Sequence, residues 1–238
     1  MEKQTITYYD ENNGGLIHYK WNSILTVRTK PQQVIQPVGK NTYSEAFGIS
    51  KRVARSLGEL LAPLLPDSAN KETHQAINIA VYRWLLGNPL HNEFKVDAVP
   101  YITGLQFNEE YTLEEMIRLT ITANRNEENI IELTIPSFNP ANDIVAPLRA
   151  ESFTFKIMAV TCRMSDGAKT GGCITELVIP YNDTQIPLQK INLPITTEKG
   201  DLVVIALAVE YTVLKEADIQ IVHNQRWMPA GIIWAGYN

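Results

Sequence analysis

DLVVIALAVEYTV, residues 201–213, contains LVVIALAV at 202–209, one of the longest apolar runs in the chain. A membrane-spanning helix needs about 20 apolar residues, so this run is too short to cross a bilayer. Its length and its β-branched residues fit a strand. Outward from it, over everything beyond residue 90, the hydrophobic period moves toward two. Val, Ile and Thr recur in short runs broken by Asn, Asp, Gly and Pro. The expected strands are VDAVPYITGLQF (96–107), IRLTITAN (117–124), IIELTIP (130–136), SFTFKIMAVTCRM (152–164), CITELVIP (173–180), IPLQKINLPI (186–195), DLVVIALAVEYTV (201–213), ADIQIVH (217–223) and AGIIWAGY (230–237). So many short strands imply an antiparallel sandwich or barrel. No helices alternate with them, which argues against a parallel βαβ sheet. TLEEM (112–116) is the exception, because Thr112 and Glu115 have the spacing of a capping box and start a single helical turn.

Upstream the pattern is helical. Phe47, Val53, Ala54, Leu57, Leu60, Leu61, Leu64 and Leu65 recur at spacings of three and four, with Ser44 as the expected N-cap and Pro66 as the stop. After PDSAN, Ile77, Val81, Trp84 and Leu85 share a second helical face that ends at Gly87 and Pro89. The two helices are expected to form an antiparallel hairpin. Nearer the start, LIHYKW and ILTVRT flank Asn22–Ser23, which suits a tight β-hairpin with Trp21 opposite Ile24. The segment TKPQQVIQPVGKN reads as an extended connector.

Composition is that of an ordinary folded chain, with 45% hydrophobic and 20% charged residues over 238 positions. The net charge is −5, and Lys and Arg are scattered, which argues against a nucleic-acid partner. MEKQTITYYDENNGG has no apolar stretch, so no signal peptide is expected, and the chain reads as cytoplasmic or part of an assembled particle. Cys162 and Cys173 fit neither a CxxC pair nor a zinc module. They face each other if they flank a hairpin, while the plain reading is two half-buried thiols.

No reactive constellation emerges. DGAKTGG (166–172) fails as a phosphate loop because Ala168 precedes Lys169 where Gly is required, and it reads instead as a flexible hairpin loop. His18, His74, His91 and His223 lie in different elements without a second ligand at metal spacing. Glu109, Glu110, Glu114 and Glu115, then Glu127 and Glu128, read as solvated turns in the absence of a DxDxDG loop. Accordingly no catalytic, cofactor-binding or metal residue is nominated. Tyr8, Tyr9, Tyr19 and Trp21 near the start and Trp227, Trp234 and Tyr237 near the end suit a core, a subunit contact or a stacking surface for a glycan. Tyr19, Trp21, Val27, Trp227, Trp234 and Tyr237 are the candidate interface.

HYKWNSILTVRTKPQQ (18–33), through Lys20, Trp21, Val27, Arg28 and Pro31, followed by SEAFGISKRVARSLGELLAPLL (44–65) and the second helix, resembles a family of uncharacterised Bacteroidota proteins. The resemblance covers residues 14–90, with further similarity in GDLVVIALAVEY and AGIIWAGYN. It implies a short strand segment, a helical hairpin and a sandwich similar to immunoglobulin or fibronectin type III modules, and it brings no catalytic residues.

The resulting expectation is an α+β, mainly β chain. It has an extended arm over 1–42, a helical hairpin over 43–90, and an antiparallel β-sandwich over 91–238 that is immunoglobulin-, fibronectin- or jelly-roll-like. The expected role is non-catalytic and structural: a homo-oligomer, or a subunit among other proteins, in a larger particle or surface assembly, with no cofactor and no membrane span. The alternative is a small-ligand or glycan-binding sandwich module. A site assembled from His91, His223 and the Glu clusters is the enzyme reading.

Overall fold

The computed structural model describes residues 16–21, 24–29, 42–65, 70–88, 98–108, 111–126, 130–215 and 218–238. The chain divides into two compact units, Met1–Lys40 and Asn41–Asn238. In the first, β1 (Leu16–Trp21) and β2 (Ile24–Thr29) pair antiparallel from Leu16–Thr29 to Trp21–Ile24, the expected register. The connector read from TKPQQVIQPVGKN lies almost wholly outside the described residues.

The second unit opens with α1 (Thr42–Leu61), a 3-10 turn (Ala62–Leu64) and α2 (Asn70–Gly87). The α1 helix starts at Thr42, so Ser44 lies inside its first turn instead of capping it. Glu45 in that turn suits the positive end of the helix dipole. The helix also stops earlier than Pro66, because Pro63 has no N–H to continue the ladder. Leu65, the residue ahead of Pro66, is extended with ψ 134°, as the proline ring demands. Phe47 meets Tyr82 edge-on at 6.1 Å between ring centres, and His74 lies against Gly58, so the helices run antiparallel. Val53, Leu57 and Leu61 face Ile77, Val81 and Trp84, all buried, as the periodicity required.

The rest is strand-rich, with α3 (Leu113–Met116), β3 (Thr122–Arg125), β4 (Ile131–Ile135), α4 (Pro140–Asp143), β5 (Ala150–Arg163), β6 (Lys169–Pro180), β7 (Gln189–Leu193), β8 (Asp201–Lys215), β9 (Asp218–Ile221) and β10 (Ala230–Tyr237). Thr112 and Glu115 close the expected capping box around α3. The order β10-β8-β5-β6, with β9 also pairing β8, makes one antiparallel sheet; β3-β4-β7 makes the other. The fold is mixed α+β and mainly β.

Strand alternation sorts the large sheet into two rows. Phe153, Phe155 and Ile157 of β5, with Val203, Ile205, Leu207 and Val209 of β8, pack with Ile131, Leu133 and Ile135 of the small sheet. Val160 and Cys162, with Leu202, Val204, Ala206 and Ala208, pack under the helical hairpin. The helices therefore share a core with the sheet and do not form a separate segment ending at residue 90. Residues 201–209 are all buried because β8 is covered on both faces.

Two sequence-based strands are corrected. Residues 98–107, the described part of VDAVPYITGLQF, do not form a strand: Tyr101 and Gly104 have positive φ, 72° and 89°, and turn the chain back. That segment seals the outer edge of β10 through Val99 N–H to Ala235 O, Gly104 N–H to Ile232 O, and Phe107 N–H to Ala230 O. Residues 117–121 contribute only the bridge Ile117–Ile144 ahead of β3.

β10 carries a bulge between Ile232 and Trp234 that reverses its alternation. Trp234 thus enters the sandwich core, and Ala235 and Tyr237 enter the helix-side core. A methyl at Gly236 lands on the Trp234 indole and 2.8 Å from Arg125 Nη2. Gly236→Ala is expected to cost about 1–3 kcal/mol by overpacking, read as a lowered urea midpoint at unchanged m-value.

Candidate functional site

The helical layer covers only part of the large sheet. Along the helix-side row of β8, the residues change from Ala206 and Ala208 to Glu210, Thr212 and Leu214, and the surface opens. Across the ladders Glu210 is in register with Thr154 and, one strand beyond, Val178, and Thr212 with Ser152 and, one strand beyond, Pro180. Ile221 pairs with Thr212, and Ile219 with Leu214. Five exposed apolar side chains consequently share one face: Ile174, Val178 (64% exposed), Leu214, Ile219 (66% exposed) and Ile221. They form two apolar margins around a polar centre, where Lys156 Nζ meets Glu210 Oε2 at 2.8 Å and the Ser152 and Thr212 hydroxyls meet at 2.6 Å.

One margin lies on β6, which among the described residues pairs with β5 alone. β6 is apolar on both rows, with Cys173, Leu177 and Ile179 inward and Ile174 and Val178 outward. That doubled pattern in CITELVIP was the available signal of this surface. Ordinary alternation explains only half of it.

Of the six sequence-nominated interface residues, Tyr19, Trp21 and Val27 lie in the first unit and Trp227, Trp234 and Tyr237 in the second. Trp234 and Tyr237, 8% and 7% exposed, are buried in the chain's own cores, Tyr237 with its ring centre 5.1 Å from that of Trp84. Each buried ring is withheld from a partner, which corrects their nomination. Trp227 is half-buried, edge-on to Tyr211 at 6.1 Å and flanked by Arg226. Val27 is exposed on β2 and pairs with His18, one step out of phase with the Tyr19–Thr26 and Trp21–Ile24 pairs. Tyr8 and Tyr9 lie outside the described residues.

DGAKTGG joins β5 to β6 as the expected hairpin loop, and it packs against α1. Ser56 Oγ donates to Gly167 O at 2.5 Å and Arg52 Nη2 to Ser165 O at 3.2 Å. Gly167 has φ 75° and lies so close to α1 that a Cβ there sits 2.9 Å from the Arg52 carbonyl carbon. Lys169 Nζ and Arg55 Nε reach Glu59 at 2.7 and 2.9 Å. Their hydrogen bonds, Lys169's first, hold the Glu59 carboxyl at about 2.

The cysteines do not face each other: Cys162 opposes Lys169, and Cys173 opposes Ala159. They project to opposite sides of the sheet and are free thiols. Burial first, then the nearby Asp201 and Asp166, pushes the Cys162 thiol up to about 12; burial also raises Cys173. Burial raises the Tyr211 hydroxyl too, which donates to Val145 O at 2.7 Å.

Among the described residues no three His, Cys, Asp or Glu side chains cluster as a metal site would require. His223 is exposed beyond β9 and His74 lies within α2, while His91, Glu109, Glu110, Glu127 and Glu128 fall outside the described residues. Glu114 and Glu115 are exposed, the latter engaged in its cap. The described residues form open clefts. One of about 470 Å³ is lined by Gln106, Glu114, Arg118, Thr120 and Ile233. Another, about 940 Å³, follows the seam of the helices past Lys51, Arg55, Lys71, His74 and Asn78. No described helix is long and apolar enough to cross a membrane.

No family model, curated protein or solved structure matches the chain.

Because Glu59 titrates lower folded than unfolded, its stabilising contribution is complete above its ordinary value of 4.5 and is lost as pH falls toward about 2. The pair is half-exposed and solvent-screened, so the effect is small. Glu59→Gln is expected to flatten the acid limb of the urea midpoint between those pH values, leaving pH 7–8 behaviour parallel to the parent.

Proposed function

We propose that this chain is a non-catalytic structural and interaction protein that associates with copies of itself through the part of the large sheet that its helices leave bare. The observation that carries this reading is the set Ile174, Val178, Leu214, Ile219 and Ile221 exposed on one face. Exposed Ile, Val and Leu side chains gathered in two margins on one face, rimming a polar centre, are the pattern of an interaction surface. Burying a Val or Ile side chain stabilises by about 1.5–3 kcal/mol, so a few such residues supply a substantial part of an association energy.

The position of the surface also supports this reading. It begins where the helix-side row of β8 turns from alanine to Glu210 and Thr212, beyond the reach of the helical layer of the second unit. Polar groups at its centre are paired with one another, Lys156 with Glu210 and Ser152 with Thr212, which lowers the cost of covering them. Within this reading the chain is a subunit of a larger particle or surface assembly.

A second reading, a small-ligand module, draws on the cleft of about 470 Å³ beside α3, where Glu114 and Arg118 stand over Leu113, Ile117 and Ile233. That volume is in the range of small-molecule pockets, about 300–1,000 Å³. The glycan form of that reading draws on stacking rings, of which Trp234 and Tyr237 are committed to the cores.

Light scattering over a concentration series tests the leading reading. The parent is expected to exceed the monomer mass of 26.8 kDa, and Val178→Asp with Ile219→Asp to return it to that mass with an unchanged circular dichroism spectrum. A parent that stays monomeric throughout, or variants that keep its full mass, would contradict the assignment.

A further inference from the structure

Taking self-association as its basis, we propose that two copies join edge to edge through β6, in one defined antiparallel register, so that the large sheet continues across a two-fold axis.

The first ground is the state of the edges. The outer edge of β10 is sealed by residues 99–107, with Ile232 N–H donating to Leu105 O at 2.7 Å in addition to the bonds already described. β3, β7 and β9 are short strands of four, five and four residues. β6 is 12 residues long and, among the described residues, makes no ladder on its outer side. A long unpaired edge is a template for another strand, and natural proteins blunt such edges with lysine, proline or a bulge. On β6 proline appears only at the end, Pro180, and the outward row from Gly172 to Val178 carries a single charge, Glu176. The bulge in the β5–β6 ladder lies at its other end, between Thr161 and Cys162.

The second ground is self-complementarity, which selects the second copy as occupant. A two-fold axis perpendicular to the sheet pairs residues whose numbers add to a constant even sum, keeping the outward row on one face. The two longest ladders centre on Ile174 and on Thr175. Centring on Thr175 sets Glu176 opposite Ile174 twice, a carboxylate against an apolar side chain. Centring on Glu176 sets two like charges face to face, which destabilises. Centring on Ile174 instead pairs Ile174 with its own mate, Glu176 with Gly172, Val178 with Thr170 and Thr175 with Cys173. Charge and apolar matching both favour that register. It also sets the β6 margins of the two bare faces side by side, with the two Ile174 side chains meeting at the junction.

Oxidative cross-linking reads the register directly. Directly opposite residues in an antiparallel pair have Cα atoms about 4.5–5.5 Å apart, within disulfide reach. In a Cys173→Ser background, Ile174→Cys is expected to form a disulfide-linked dimer on mild oxidation, and Val178→Cys to stay monomeric on a non-reducing gel. Both positions are exposed, so neither change burdens the core. A dimer trapped by Ile174→Cys but not Val178→Cys supports the register. If the parent self-associates by light scattering and Ile174→Cys does not cross-link, the edge-to-edge arrangement is overturned while the proposed function stands. A parent that is monomeric at every concentration overturns both.

Discussion

β8 is buried on both faces from Leu202 to Val209, and the other layers take their positions from that double burial. Its odd-numbered residues supply the floor of the sandwich core and its even-numbered ones the floor under the helices. Neither layer holds its apolar surface away from water without it, since an isolated amphipathic hairpin or a three-stranded sheet has only one face to bury. The helical hairpin is fastened to the same sheet a second time, through the β5–β6 turn. There Gly167 lets the turn approach the α1 backbone, and Lys169 reaches Glu59. Both attachments lie toward the Leu202 end of β8, which fixes where the helical cover stops.

Much of this was legible in the residues. LVVIALAV lacks alternation because both rows are covered, and the return of alternation at Glu210 marks the end of the helical layer. The spacing of Leu57, Leu61, Ile77 and Val81 identified the buried helical faces, and the Thr112–Glu115 pair identified the cap, because both signals are local. What escaped was determined by long-range contact. Residues 96–107 have a strand-like composition, yet Pro100 and Gly104 interrupt them and the backbone of residues 99–107 serves as an edge seal. Alternation carried forward from Ala230 and Ile232 misplaces Trp234 and Tyr237, because the bulge in β10 switches rows between Ile232 and Trp234. The separation of Cys162 and Cys173 depended on a register that their spacing does not encode.

The candidate surface was less legible, for a related reason. A doubly apolar strand such as CITELVIP has the composition of a strand buried on both faces, like its neighbour β8. Only topology, which puts β6 at the edge and the helices at the other end of the sheet, leaves Ile174 and Val178 in solvent. The proposed role follows from that mismatch between what the side chains are and where the fold leaves them. It moves the expected site of association away from aromatic residues near the termini and onto β6, β8 and β9.

The most direct measurement is the native mass of residues 41–238 alone, compared with the full chain by light scattering over one concentration series. This unit contains both cores and the bare face. The account predicts that it assembles to the same number of copies as the full chain. A monomeric 41–238 beside an assembled full chain would place the interface in the N-terminal unit and contradict the assignment to the sheet.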